Sequence, residues 1–139
     1  MTAATPFREA MRRSTRLMQE EKYEEALEIL DGAIALAMQA GENSYASTLC
    51  HHAANIARFG ESADRARHYY EQSLVSNPEN PRALEGLAEI SGQRGHIKVA
   101  LEYARRSYEA LMKSEDDLFK QSRLERLLRK WPGVISKRD

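Results

Sequence analysis

Residues Asn80 to Leu111 constrain the fold of this chain more than any other stretch. Asn80 offers a side-chain cap, and Pro81 suits a first helical position, where its missing N–H would have no partner anyway. Leu84, Leu87, Ala88 and Ser91 then recur at helical spacing. After a break at Gly95-His96, Val99, Ala100, Tyr103, Ala104, Ser107 and Tyr108 do the same. The stretch therefore predicts two amphipathic helices folded back on each other. Ala88 and Ala100 stand where the two would approach most closely and larger side chains would push them apart.

Echoes of this unit recur upstream. Phe7, Ala10, Met11, Ser14, Leu17 and Met18 make a helical stripe, with Arg8, Arg12, Arg13 and Arg16 on the other faces. Ala26, Leu30, Ala33, Ile34 and Ala37 run down the next helix, and Gly41-Glu42-Asn43-Ser44 is read as ending it and capping the one after. From Tyr45 to Phe59 the inner positions are Leu49, His52/Ala53 and Ile56, with Gly60 as the stop. Ala66, Tyr69, Tyr70, Ser73 and Leu74 follow. Small residues return at matching places: Ala26, Ala66 and Ala100, then Ala33, Ser73 and Ser107.

Leu84, Leu87-Ala88, Gly95 and Ala100, with Pro78 closing the unit before, resemble the tetratricopeptide repeat. The departures are Ser91, where an aromatic is usual, and Ala104, where a large residue is usual. Ala66 to Ala100 spans 34 residues, the period of that family, whereas Ala26 to Ala66 spans 40. Taking Gly60 as the turn residue puts one of the extra residues in the Gly60–Ala66 turn and five in the preceding connection. Glu21 stands where the first turn would carry its glycine, so the first repeat rests mainly on its second helix.

The resemblance implies an all-α fold, a right-handed alpha-alpha superhelix of antiparallel helix pairs with about seven helices in a single domain. Repeats are placed at about 7–40, 44–77 and 80–112. A capping helix at about 115–131 would cover the last apolar face, starting from a capping box at Ser114-Glu115-Asp116-Asp117 and carrying Leu118, Leu124, Leu127, Leu128 and Trp131. Pro132-Gly133 ends it and the tail from Val134 is expected to fray.

Composition excludes several classes of function. The 21 Lys plus Arg balance 21 Asp plus Glu, so no net charge steers the molecule toward nucleic acid or membrane. No apolar run reaches the roughly 20 residues of a membrane span. The Arg-rich, acid-poor first 19 residues are a faint echo of an organellar transit peptide, but their apolar stripe continues into the first repeat, favouring a helix. A single cysteine precludes an intrachain disulfide and, with no secretory leader in view, the expected compartment is the cytoplasm. Cys50-His51-His52 are consecutive and so point about 100° apart, which does not suit a metal. No phosphate loop, nucleophile elbow or zinc-protease motif occurs. The reading is non-enzymatic, with no metal and no cofactor. Residues 120–139 hold seven Lys/Arg against two Asp/Glu, yet no exposed aromatics interleave with them as base-stacking platforms, so nucleic acid is disfavoured.

What remains is binding of a protein or peptide. In tetratricopeptide proteins the first helix of each repeat lines a concave groove. That resemblance assigns Arg8, Met11, Arg12, Thr15 and Met18 to the groove from the first repeat. The second offers Ser47, Cys50, His51, Ala54 and Arg58, and the third Arg82, Glu85, Gly86 and Glu89. The subgroup that clamps chaperone C-termini uses five polar residues at places occupied here by Met11, Thr15, His51, Arg82 and Gly86; only Arg82 keeps that chemistry. The expected ligand is instead an extended or helical segment with apolar anchors and acidic groups toward Arg8, Arg12 and Arg58. The alternative is a homo-oligomer, such as a dimer, built through the C-terminal helix or an open repeat end.

Overall fold

A computed structural model describes residues 5–115 and 118–135. Among them are seven α-helices and no strand: α1 (Thr5–Gln19), α2 (Tyr23–Gln39), α3 (Asn43–Phe59), α4 (Ala63–Ser76), α5 (Pro81–Gln93), α6 (Ile97–Lys113) and α7 (Lys120–Lys130), followed by a 3-10 turn, Pro132–Ile135. The chain forms two compact units, Met1–Pro78 and Glu79–Asp139.

Four of the connections are built alike. Glu21, Gly41, Glu61 and Gly95 adopt φ of 62°, 71°, 62° and 81°. In each case the next N–H bonds back across the helix end, from Lys22 to Leu17, Glu42 to Ala37, Ser62 to Ala57 and His96 to Ser91. This is the Schellman closure, which satisfies carbonyls left open at a helix C-terminus. Two glutamates therefore sit in the left-handed region, where glycine is favoured and an L side chain is strained. Gly60, read from the sequence as the turn residue, has φ −80° instead. Tyr23 lies beside it, and a Cβ there would come into contact with Tyr23 at 3.4 Å.

That difference corrects the repeat spacing. Counted from the left-handed residue, five steps separate Glu21 from Ala26, Glu61 from Ala66 and Gly95 from Ala100, so no extra residue lies in the second turn. The surplus of six sits further upstream, mostly inside helices. At 17 residues, α2 is three longer than the 14 of α4 and α3 is four longer than the 13 of α5, while the α2–α3 connection is one shorter than α4–α5.

In the first unit, Ala26, Leu30, Ala33, Ile34 and Ala37 of α2 are buried, with Leu49, Ala53 and Ile56 of α3 and Ala66, Tyr70 and Ser73 of α4. The α3–α4 hairpin closes on serines. Ser47 Oγ donates to the Ser73 carbonyl at 2.9 Å and Ser73 Oγ to the Ser47 carbonyl at 2.8 Å. Side chains this small let the two backbones approach, and the hydroxyls bond across the gap. No side chain caps α3: Asn43 is already its first residue.

The second unit repeats the device, with Ser107 Oγ donating to the Pro81 carbonyl at 3.1 Å. Asn80 Oδ1 accepts from the N–H groups of Arg82 and Ala83, capping α5 behind Pro81. Val99 departs from the expected inner stripe and is 49% exposed. Helix α7 begins at Lys120 rather than near 115, Asp116-Asp117 lie outside the described residues, and Leu118 is exposed. Leu124 and Leu127 of α7 pack with Ala88, Ala104 and Leu111, and Val134 joins them, so the chain stays packed past Pro132 instead of fraying there. Trp131 lies over Gly92, where a Cβ would meet its ring at 2.9 Å.

Candidate functional site

Within the first unit, α1 and α3 lie side by side. The Phe7 and Tyr45 rings sit 5.0 Å apart, and Thr15 Oγ1 is 3.2 Å from His52 Nε2. Both contacts advance in the same order along the two helices, so the helices run parallel. Thr15 Oγ1 donates its proton to the Met11 carbonyl at 2.8 Å. A hydrogen on His52 Nε2, donated to Thr15, satisfies both contacts at once. Burial lowers the His52 pKa from its ordinary value, favouring this neutral form.

Toward the N-terminal ends of the two helices lies a cleft of about 690 Å³, lined by Thr5, Phe7, Arg8, Met11, Arg12, Tyr45, Thr48 and Leu49. Phe7 and Leu49 are buried in its floor, Met11 and Tyr45 are half-buried in its walls, and Arg8 and Arg12 are exposed at its rim. Neither arginine makes an ion pair among the described residues. An apolar trough with cations along one edge can hold an apolar side chain while its acidic neighbours meet the rim.

Arg8, Met11 and Arg12 line this cleft together, with Thr15 and the half-buried Met18 further along the same helix. On α3 the expected face is displaced by one residue. Ser47 and Ala54 are buried and His51 is 8% exposed, so these three pack inward, as does Cys50. The accessible stripe is Thr48, His52, Asn55 and Phe59, at the same spacing one position later. Anchoring the register on Gly60 instead of Glu61 rotated the reading by about 100°, one residue of helix. The regular five-step interval from turn to alanine in the first and third repeats is the signal that locates Glu61.

Asn55, Arg58 and Phe59 line a second depression. There Tyr70 donates to Asn55 Oδ1 at 2.5 Å, and Arg58 donates to the Tyr70 hydroxyl at 3.3 Å, so that guanidinium is partly engaged inside the protein. Cys50 is buried and its thiol is pushed up to about 12, by burial first and by Asp31 second, which leaves it inert as a nucleophile. Among the described residues no cluster of three or more His, Cys, Asp or Glu is placed to hold a metal.

In the second unit Arg82 is exposed on the first turn of α5. Glu85 and Glu89 are occupied: Arg126 of α7 lies 3.4 Å from Glu85, and Lys130 pairs with Glu89. Glu85 is still held above its ordinary pKa, because burial outweighs the attraction of Arg126. No helix of the described residues is long and apolar enough to cross a membrane.

Paired helices with Schellman turns and small residues at their seams make this a tetratricopeptide-like helical repeat, and solved structures agree. No protein-family model matches the sequence, and no curated protein matches it either. The chain is similar to the type III secretion translocator chaperone SycD of Yersinia enterocolitica: 19% identity, TM-score 0.71, covering 96% of this chain and 86% of that one. A second structure of SycD, described as an alternative dimer, gives 18% identity and TM-score 0.69 over 99% of this chain and 98% of the other.

Proposed function

We propose that this protein is a non-enzymatic tetratricopeptide-repeat binding module that holds a segment of a partner protein against the α1/α3 face. The observation that carries the proposal is the cleft of about 690 Å³ with an apolar floor and two cations at its rim that have no carboxylate partner among the described residues. The fitting segment presents an apolar anchor to Phe7, Met11, Tyr45 and Leu49, with acidic residues beside it for Arg8 and Arg12. Methionine adapts its shape to different anchors, which suits Met11 to varied sequences. That both similar structures belong to a chaperone supports holding a client over performing chemistry on it.

The test is capture of partners on the tagged wild-type chain and on Arg8→Glu/Arg12→Glu, with bound proteins identified by mass spectrometry. A partner held by wild type and lost by the variant supports the cleft. A partner held equally by both removes it. Self-association is the second reading, favoured by the dimeric description of one similar structure. Recovery of only the chain itself would bring it forward.

A further inference from the structure

Gly32 lies in the middle of α2, where glycine weakens a helix relative to alanine. Nothing in the described residues accounts for it. Its φ is not left-handed, and a Cβ built there meets no atom within 4 Å. It belongs to a stripe, Glu25, Ile29, Gly32 and Leu36, spaced four, three and four. The stripe is turned away from the side of α2 that meets α4 through Glu24–Arg65, Asp31–Tyr69 and Met38–Gln72. Ile29 is half-buried and Leu36 is 55% exposed. A glycine between two larger apolar residues is what a helix needs where another helix crosses it closely.

Charge flanks this seam on both sides. On α1, Arg13 and Arg16 are exposed on the side turned away from the α3 contacts; on α2, Glu28 is exposed beside the stripe and the exposed Glu25 begins it. None of the four makes an ion pair among the described residues. A basic flank and an acidic flank beside one apolar line complement themselves under a twofold rotation about the helix direction.

We propose that a second copy of this chain docks on this edge. The two α2 helices cross at Gly32, Ile29 and Leu36 fill the space beside the crossing, and Arg13 and Arg16 of each copy face Glu25 and Glu28 of the other. The proposal rests on the self-association reading and adds the surface on which it occurs.

Sedimentation equilibrium of the full chain tests it. Wild type should show a mass twice the 15.8 kDa of one chain. Leu36→Glu should sediment as a monomer with unchanged helical circular dichroism. Gly32→Gln should also be monomeric while keeping its full helical circular dichroism, because glutamine favours the helix; unfolding then cannot account for the lost dimer. Arg16→Glu should weaken the dimer by about tenfold, and adding Glu25→Arg should restore it. A wild type that stays monomeric at roughly 100 µM overturns both the edge and self-association. A dimer that survives Leu36→Glu and Gly32→Gln leaves self-association standing and overturns the edge.

Discussion

The α1/α3 pair and the α5/α7 pair show what two similar placements of helices can do with charge. In each, the contacts advance together along both helices: Phe7–Tyr45 then Thr15–His52 in the first, Arg126–Glu85 then Lys130–Glu89 in the second. Helices α1 and α7 are both rich in Arg and Lys. Those on α7 find two carboxylates on α5 and lie over a closed apolar core. Those at the rim of the α1/α3 cleft face solvent beside an open trough. A count of basic residues, four on α1 and five on α7, does not tell the two helices apart. What separates the open cleft from the packed face is whether the same unit supplies acids to meet the cations.

The comparison breaks most sharply in the cores beneath. Leu127→Ala removes a nearly fully buried side chain from the α7 cluster and should cost about 2–4 kcal/mol, measured by urea unfolding. Met11→Ala in the open cleft should cost less than about 1 kcal/mol, because its side chain is only half-buried. Equal losses would mean that the α1/α3 cleft is a packed core and not an open site.

The ion pairs come next. Arg126→Ala should destabilise by about 1 kcal/mol, since it strands a carboxylate with only 16% of its side chain exposed. Combining it with Glu85→Gln should recover most of that loss. Arg8→Ala and Arg12→Ala should each change stability by less than about 0.5 kcal/mol while reducing partner binding. A stability loss at Arg12 matching that at Arg126 would show that its charge serves the fold.

Much of this is legible in the sequence, and the misses have two causes. The small residues at Ala26, Ala66, Ala100, Ser73 and Ser107 are fully buried, because steric limits at a helix seam leave a clear trace in sequence. The Asn80-Pro81 cap is equally local and was readable. The turn at Glu61 was not, since a glycine stood one residue away and left-handed glutamate is rare. That displacement moved Ser47, His51 and Ala54 onto the wrong face. The pairing of Glu85 and Glu89 with α7 was hidden for a different reason: the partners are 41 residues apart, and no local pattern reports which helix will lie alongside.

The two glutamates in left-handed turns give a smaller test in the opposite direction. Glu21→Gly and Glu61→Gly relieve a side chain held at φ 62° and should each stabilise by up to about 1 kcal/mol. Gly95→Ala, at φ 81° in the second unit, should destabilise by about the same amount. Destabilisation by Glu61→Gly would mean that the glutamate side chain, and not its backbone geometry, holds the turn.

The finest distinction is one of pH. Burial depresses the pKa of His52, so its contribution is fully present above the usual imidazole pKa of 6.5 and is lost as pH falls through the lower folded value. Glu85 has the opposite sign. Its folded pKa is raised above 4.5, so its contribution is present below that value and fades as pH rises through the folded one. Acidification from pH 7 should therefore loosen the α1/α3 contact while easing the cost of burying Glu85 beneath α7. Hydrogen exchange followed by region between pH 7 and pH 5, after correction for the intrinsic rates, reads the two separately. Protection around Thr15 and His52 should fall, and His52→Gln, which still offers Thr15 a donor, should remove most of that fall. Protection in α5 that drops in step with α3 would instead point to whole-chain destabilisation by acid, and the difference between the two helix pairs would then lie in packing alone.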